Sequence, residues 1–197
     1  MNMTKRELAA ATTRENLLET AENLLQQKGY EKMSVSDITK ASGVAKGTFY
    51  NYFDKKEDII FELNKRHMHN LSGQLIELSQ GKPDESIRYY LNNFLQTIVD
   101  SKVNMARQWV RFITASSNQE KWQYDKGLLK KLINHLIDNG KLKQNTPVDD
   151  LTSLLITEVY GIILSWCITP ETIEPVQTIN KFCDLQLDFL LKPYIND

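Results

Sequence analysis

Gly43-Val44-Ala45-Lys46-Gly47-Thr48-Phe49-Tyr50-Asn51-Tyr52-Phe53-Asp54-Lys55-Lys56-Glu57-Asp58 is the stretch that decides the fold. Just upstream, Ser34-Val35-Ser36-Asp37-Ile38 opens a helix, with a serine N-cap and an acid three residues on. Gly43 arrives soon after, so that helix is short. A second short helix covers about Lys46 to Phe53. Two short helices around a tight turn, Ala41-Ser42-Gly43-Val44, have the layout of a helix-turn-helix, whose second helix enters the major groove. Ile38, Ala41, Val44, Phe49 and Phe53 can pack this unit onto a preceding helix. That leaves Lys46, Gly47, Thr48, Tyr50, Asn51 and Tyr52 outside. Lysine suits phosphate or a guanine edge, asparagine pairs with adenine, threonine offers hydroxyl and methyl, and tyrosine bonds phosphate. Glycine lets a backbone approach closely. Tyr52 fits packing and DNA contact equally.

Outward from this unit the pattern is helical throughout. Leu17, Leu18, Ala21, Leu24 and Leu25 share one face of a first helix. Thr4 with Glu7 and Thr12 with Glu15 are both capping boxes for its start, and Gly29 is placed to end it. Downstream, Asp54 with Glu57 opens what reads as one continuous helix to about Leu78, before Gly81-Lys82-Pro83 breaks the chain. Further helices are expected at about 84–101, 104–117 and 120–139, from Thr146-Pro147-Val148-Asp149 to about Trp166, and from about Pro175 to Leu191. Strand alternation is missing. The expected fold class is all-α, with a three-helix head at 1–54 and a larger helical body at 55–197.

Bulk properties narrow the function. A net charge of −1 on 197 residues gives no global attraction to nucleic acid, so a DNA surface must be a local patch. Lys40, Lys46, Lys55 and Lys56 against Asp54 make one, and Lys5, Arg6 and Arg14 extend it. Cys167 and Cys183 form no CxxC pair, which fits a reducing compartment. No secretory leader precedes the first helix, and Glu158 makes the apolar stretch 151–168 too polar for a membrane span. The expectation is a cytoplasmic protein without a membrane partner. His67 and His69 point to different faces and His135 is isolated, so no metal is expected. Asp149 and Asp150 sit in the first turn of a helix, where they cap rather than catalyse. No phosphate loop or nucleophile elbow occurs, so no catalytic residue and no cofactor is assigned.

The stretch 43–58, with Ser34 to Ile38 upstream, resembles the signature of the TetR/AcrR family of bacterial transcriptional regulators, and the likeness covers roughly residues 12–62. It implies that Lys46, Gly47, Thr48, Tyr50 and Asn51 face DNA and that Ser34, Ser36 and Lys56 meet phosphates. Two positions depart from the family. Ala45 stands where serine is common, which removes a cap or a phosphate contact. Asn51 stands where an aromatic or histidine is common, so the operator sequence does not transfer. The resemblance also implies an effector pocket in the body, a homodimer and an operator in double-stranded DNA.

In the body, Met105, Trp109, Phe112 and Tyr160 are the candidate pocket residues, with Arg107, Arg111 and Glu158 as polar anchors. Ordinary core packing, a solvated face and a paired carboxylate are their plainer explanations. The last two long helices are apolar over more than one stripe, so they must bury a second face. Leu155, Val159, Ile163, Ile179, Phe182 and Leu190 are the candidates for a dimer interface. The expected protein is a repressor released by a small lipophilic or aromatic ligand, anionic if Arg107 or Arg111 faces inward. The helix from Lys55 to Leu78 would serve as the lever. Two alternatives stay open: a redox-responsive regulator using Cys167 and Cys183, and a helical ligand-binding protein without DNA binding. Effector, operator, regulated genes and the sign of regulation are not encoded in the pattern.

Overall fold

The structure is a computed structural model that describes residues 4–114 and 119–196. The chain divides into two compact units, Met1–Arg66 and His67–Asp197, so the capping region after Phe53 belongs with the head rather than opening the body at 55.

In the head, α1 (Lys5–Lys32) starts at the earlier of the two capping boxes. The Thr4 N–H donates to Glu7 Oε2 at 2.7 Å, and the Glu7 N–H returns to Thr4 Oγ1 at 3.3 Å. Thr12 lies inside the helix and donates to the Leu8 carbonyl at 2.9 Å. Gly29 kinks α1 rather than ending it: its φ of 77° and ψ of 166° suit glycine, and helical residues resume to Lys32. The helices α2 (Val35–Ala41) and α3 (Lys46–Tyr50) follow, then α4 (Lys56–His67). A five-residue helix has no stability of its own. α3 stands because Phe49, fully buried, packs against Phe53, and Ile38, Leu17, Leu18, Ala21, Leu25, Ile59, Ile60 and Leu63 of the head are buried as well. Burying a side chain of this size is worth about 1.5–3 kcal/mol. Ala41, expected in this core, is exposed.

The expected continuous helix to Leu78 is broken. α4 stops at His67, and α5 (His69–Gly73) and α6 (Leu75–Leu78) follow as separate short helices. Met68 and Gln74, with ψ near 0°, open the turns between them. Asp54 and Glu57 do not cap α4 as expected. The Lys55 N–H donates to Asp58 at 2.9 Å, while Glu57 is held by the Tyr30 hydroxyl.

The body adds α7 (Pro83–Asp100), α8 (Lys102–Thr114), α9 (Glu120–Asp138), α10 (Val148–Ile168) and α11 (Pro175–Phe182). The expected end of the helix at 104–117 lies outside the described residues. A π-helical turn at Cys183–Leu187 leads into α12 (Asp188–Leu191). Proline at the first turn of α7 and α11 starts both, and Gly140, at a φ of 68°, follows α9. Thr146 does not cap α10; its hydroxyl donates to the Lys143 carbonyl at 2.6 Å. The core draws Ile87, Tyr90, Leu91, Phe94 and Leu95 from α7 against α9 and α10. By length and composition α10 is apolar enough to cross a membrane, with a mean hydropathy of 1.7, contrary to the expectation from Glu158. One side of it lies in the body's core, where Leu155, Ile156 and Val159 are fully buried.

Candidate nucleic-acid interface

The interface is built on α2, its turn and α3. Ser34 caps α2 by accepting the Asp37 N–H at 3.1 Å, and its own N–H and hydroxyl return to Asp37 at 2.9 and 2.6 Å. Lys28 Nζ, 2.8 Å from Asp37 Oδ2, and these Ser34 bonds hold that carboxyl well below its usual range. The turn closes where the Val44 N–H meets the Thr39 carbonyl at 3.0 Å, and Gly43 supplies the φ of 70° that it needs. Asn16 of α1 donates to the Ser42 carbonyl at 3.1 Å, fixing the turn to the first helix.

With Phe49 turned inward, Lys46, Gly47, Tyr50 and Asn51 are exposed on the other side, and Thr48 and Tyr52 are half-buried. Tyr50 is 48% exposed, too open for a residue held by packing alone. A Cβ at Gly47 would meet nothing within 4 Å, and its φ is ordinary, so the fold itself makes no demand for glycine there. Ala45 forms no side-chain cap, which leaves the first N–H groups of α3 without a serine oxygen. Ser34 and Ser36 are exposed at the start of α2.

Lys56 is placed differently from the rest. Its Nζ donates to the carbonyls of Tyr30 and Met33, each at 3.0 Å, and lies 3.9 Å from the centroid of the Tyr30 ring. Burial pushes its pKa down. Burial and the bond to Glu57 push the Tyr30 phenol up. These contacts clamp the kinked end of α1 onto the start of α4. Arg66 to Glu15 at 2.6 Å and to Glu22, and Arg14 to Glu62, tie α1 and α4 along their length.

The body candidates separate. Met105, Trp109 and Phe112 are buried on one face of α8. Trp109 and Tyr160 meet across a polar cluster that the pattern did not single out. Lys121 and Asp125, 2% and 0% exposed, pair at 2.5 Å; the Tyr160 hydroxyl donates to the same carboxylate oxygen at 2.6 Å. Lys121 lies 5.6 Å from the Trp109 ring centroid, and Trp122 meets the Tyr160 ring edge-on at 4.9 Å. An i,i+4 Lys–Asp pair reads as a surface pair unless its apolar neighbours are weighed. Arg107 is committed to the Cys167 carbonyl at 3.0 Å, Arg111 is exposed, and Glu158 is half-buried. Open clefts of about 400 and 440 Å³ lie elsewhere, beside Leu78 and Tyr89 and beside Lys82 and Ile195.

The interface candidates need correction. Leu155, Val159 and Ile179 are fully buried and Ile163 is 5% exposed, all within the body's own core. Phe182 and Leu190 are half-buried. The apolar side chains left outside are Leu154, Leu164 and Ile168 on α10, and Leu185 and Phe189 beyond α11. Leu154, Thr157, Gly161, Leu164 and Ile168 are all exposed at alternating spacings of three and four, the repeat of a helix–helix seam. Burial raises both thiols, Cys183 to about 11, the opposite of what a reactive cysteine needs. Among the described residues no group of three metal-ligating side chains occurs.

Residues 17–63 match the model of the bacterial regulatory proteins of the tetR family. The repressor NemR of Escherichia coli is 38% identical over 91 residues, 43% of this chain and 46% of that protein. The match therefore spans about half the length of that relative. The fatty acid metabolism regulator of Bacillus subtilis is 25% identical over 183 residues, 86% of this chain and 91% of its own. The crystal structure of the regulator FadR from Bacillus subtilis with stearoyl-CoA shares the fold at a TM-score of 0.68 and 22% identity, covering 90% of this chain and 97% of that one. Residues 17–63 thus carry the signature of the tetR family of bacterial regulatory proteins, and the chain shares the fold of that FadR structure over 90% of its length.

Proposed function

We propose that the protein is a homodimeric, ligand-responsive repressor that binds an operator in double-stranded DNA and acts in the cytoplasm. The observation that carries this reading is the row Lys46, Gly47, Tyr50 and Asn51, exposed on a helix whose only inward anchor of size is Phe49. Polar groups able to read base edges and phosphates stand on the outer side of a short helix anchored inward by Phe49. The apolar seam on α10 and the outer residues Leu185 and Phe189 supply the second copy, because a face of this kind needs a partner chain. Two recognition helices must lie about 34–36 Å apart to enter successive major grooves. A ligand in the body releases DNA to the extent that it prefers the body conformation of the unbound state. The Bacillus subtilis FadR structure contains stearoyl-CoA, which supports a ligand with a long lipophilic chain as the class to try first.

The test is a fluorescence-anisotropy titration with operator-sized duplexes, first at low salt with random sequence. Lys46→Ala and Tyr50→Phe keep the wild-type melting temperature and each weaken specific binding by about 1–3 kcal/mol. Wild-type affinity in both variants removes the recognition-helix assignment.

A further inference from the structure

α1 begins well before the head needs it. No side chain from Thr4 to Thr13 is buried, and their hydrogen bonds stay within α1. Bonds to the rest of the head start only at Arg14, Glu15 and Asn16, and Leu17 is the first side chain in the core. The segment is nonetheless a finished helix. Thr4 and Glu7 cap it reciprocally, and Ala9, Ala10 and Ala11 have the highest helix propensity of any residue. Lys5 and Arg6 stand in its first turn, where cations oppose the helix dipole. Neither has an ion-pair partner among the described residues. Arg14, expected in the same basic patch, is instead held by Glu62 and lies 5.5 Å from the Phe53 ring centroid. The capping box already serves the helix end, so the two cationic side chains are what the segment has to offer.

Their direction follows from the helical repeat. Eleven residues make close to three turns, so Lys5 stands over Asn16 and Arg6 over Leu17, about 16 Å further along the axis. Asn16 donates to the Ser42 carbonyl, in the turn that leads into Lys46 and Gly47, and Leu17 faces the core. Both cations therefore overhang the side of α1 that holds the turn, yet both are exposed. Glu7, two residues on from Lys5, points to the opposite side and is spent on Thr4. Ala9, between Lys5 and the turn, is small and exposed. We infer that this overhang is a second DNA contact, continuous with the recognition helix, in which Lys5 and Arg6 each meet a phosphate of the duplex. A reach of about 16 Å is about five base pairs along a strand, well outside the length of a five-residue α3. Phosphate contacts carry no sequence information, so the overhang adds affinity and register and no base preference. The inference rests on the DNA-binding reading and extends it.

The test titrates the full-length protein by fluorescence anisotropy against a random-sequence duplex of about 40 base pairs at several salt concentrations. The double variant Lys5→Ala/Arg6→Ala should reduce the slope of log K against log salt by close to two units for each head engaged. It should melt at or above the wild-type temperature, because it removes two cations from a first turn and uncovers no core. Lys5→Glu/Arg6→Glu suits the helix end better still, yet should bind DNA more weakly than the alanine variant. An unchanged slope in the alanine variant, or a glutamate variant that binds as tightly as the alanine one, overturns the contact. A lowered melting temperature in either makes the cations structural and overturns it too. Lys46→Ala separates this from the wider reading. Affinity lost with Lys46→Ala but kept in the alanine double variant retains the recognition helix and removes the overhang alone. A wild type that binds no duplex at low salt removes both.

Discussion

A lysine ammonium carries three hydrogens, and Lys56 directs two of them to the carbonyls of Tyr30 and Met33. The family likeness implies a phosphate contact for this residue. The geometry makes it a clamp on the kinked end of α1, and the two roles differ in what salt does. Each phosphate contact contributes close to one unit to the slope of log K against log salt. Lys56→Met should leave that slope as it is and lower stability by about 1–3 kcal/mol, measured by thermal melting beside operator titrations at several salt concentrations. A slope reduced by a full unit would return Lys56 to the phosphate set. Pattern alone cannot separate these roles, because the acceptor atoms lie 26 and 23 residues upstream and reach Nζ only through the kink at Gly29. Lys121 was illegible for a related reason. Spacing places it one turn from Asp125, but only packing shows that both are buried.

At the scale of elements, the head depends on carboxylates in the charged form. Asp37 is held down by Lys28 and Ser34. Glu57 and Glu62 are also lowered: burial opposes this, but the Tyr30 hydroxyl in one case and Lys65 and Arg14 in the other outweigh it. A carboxyl with a depressed folded-state pKa stabilises fully above its ordinary value and loses that contribution as pH falls. Head stability should therefore hold down to the ordinary values of 4.5 and 3.8 and then decline with acid. Urea unfolding across this range checks it, and Asp37→Asn should flatten the lowest part of the curve. Flat stability in acid would contradict the assignment. The cap at Ser34 was legible because its partners lie within three residues. The breaks at Met68 and Gln74 were not. Met68, Leu71, Leu75 and Leu78 keep helical spacing through them, so the apolar pattern runs on where the backbone does not.

For the whole molecule, the question is which side of α10 the proposed second copy would meet. Both sides are apolar, and the sequence reading put the interface on the wrong one, at Leu155, Val159 and Ile163. Burial chooses: 151, 155, 159, 162 and 163 face the core, and 154, 164 and 168 remain outside. Leu164→Glu and Phe189→Glu should give folded monomers, with normal helix content by circular dichroism and half the mass by light scattering. Operator binding should collapse with them, because one head reaches only a half-site. Ile163→Glu should unfold the body instead, since it places an unpaired charge in the core. A dimer that survives both surface substitutions would move the interface elsewhere. The all-helical architecture was legible from the 3.6-residue apolar repeat, and glycine or proline marks the ends of α2, α6, α9 and α10 and the starts of α7 and α11.

The π-helical turn at Cys183–Leu187 carries one last consequence, a matter of reading frame. Ile179, Cys183, Leu187 and Leu191 are all buried, and Lys181, Leu185 and Phe189 are all exposed, so both rows repeat every fourth residue. A regular helix at 3.6 residues per turn would drift about 40° with each such step. The wider turn absorbs the drift and keeps both rows straight. Removing one residue from 183–187 would then act like a frameshift written in angles. Everything downstream would swing by about 100°, and Phe189 would leave the outer row although no letter of the remaining sequence had changed.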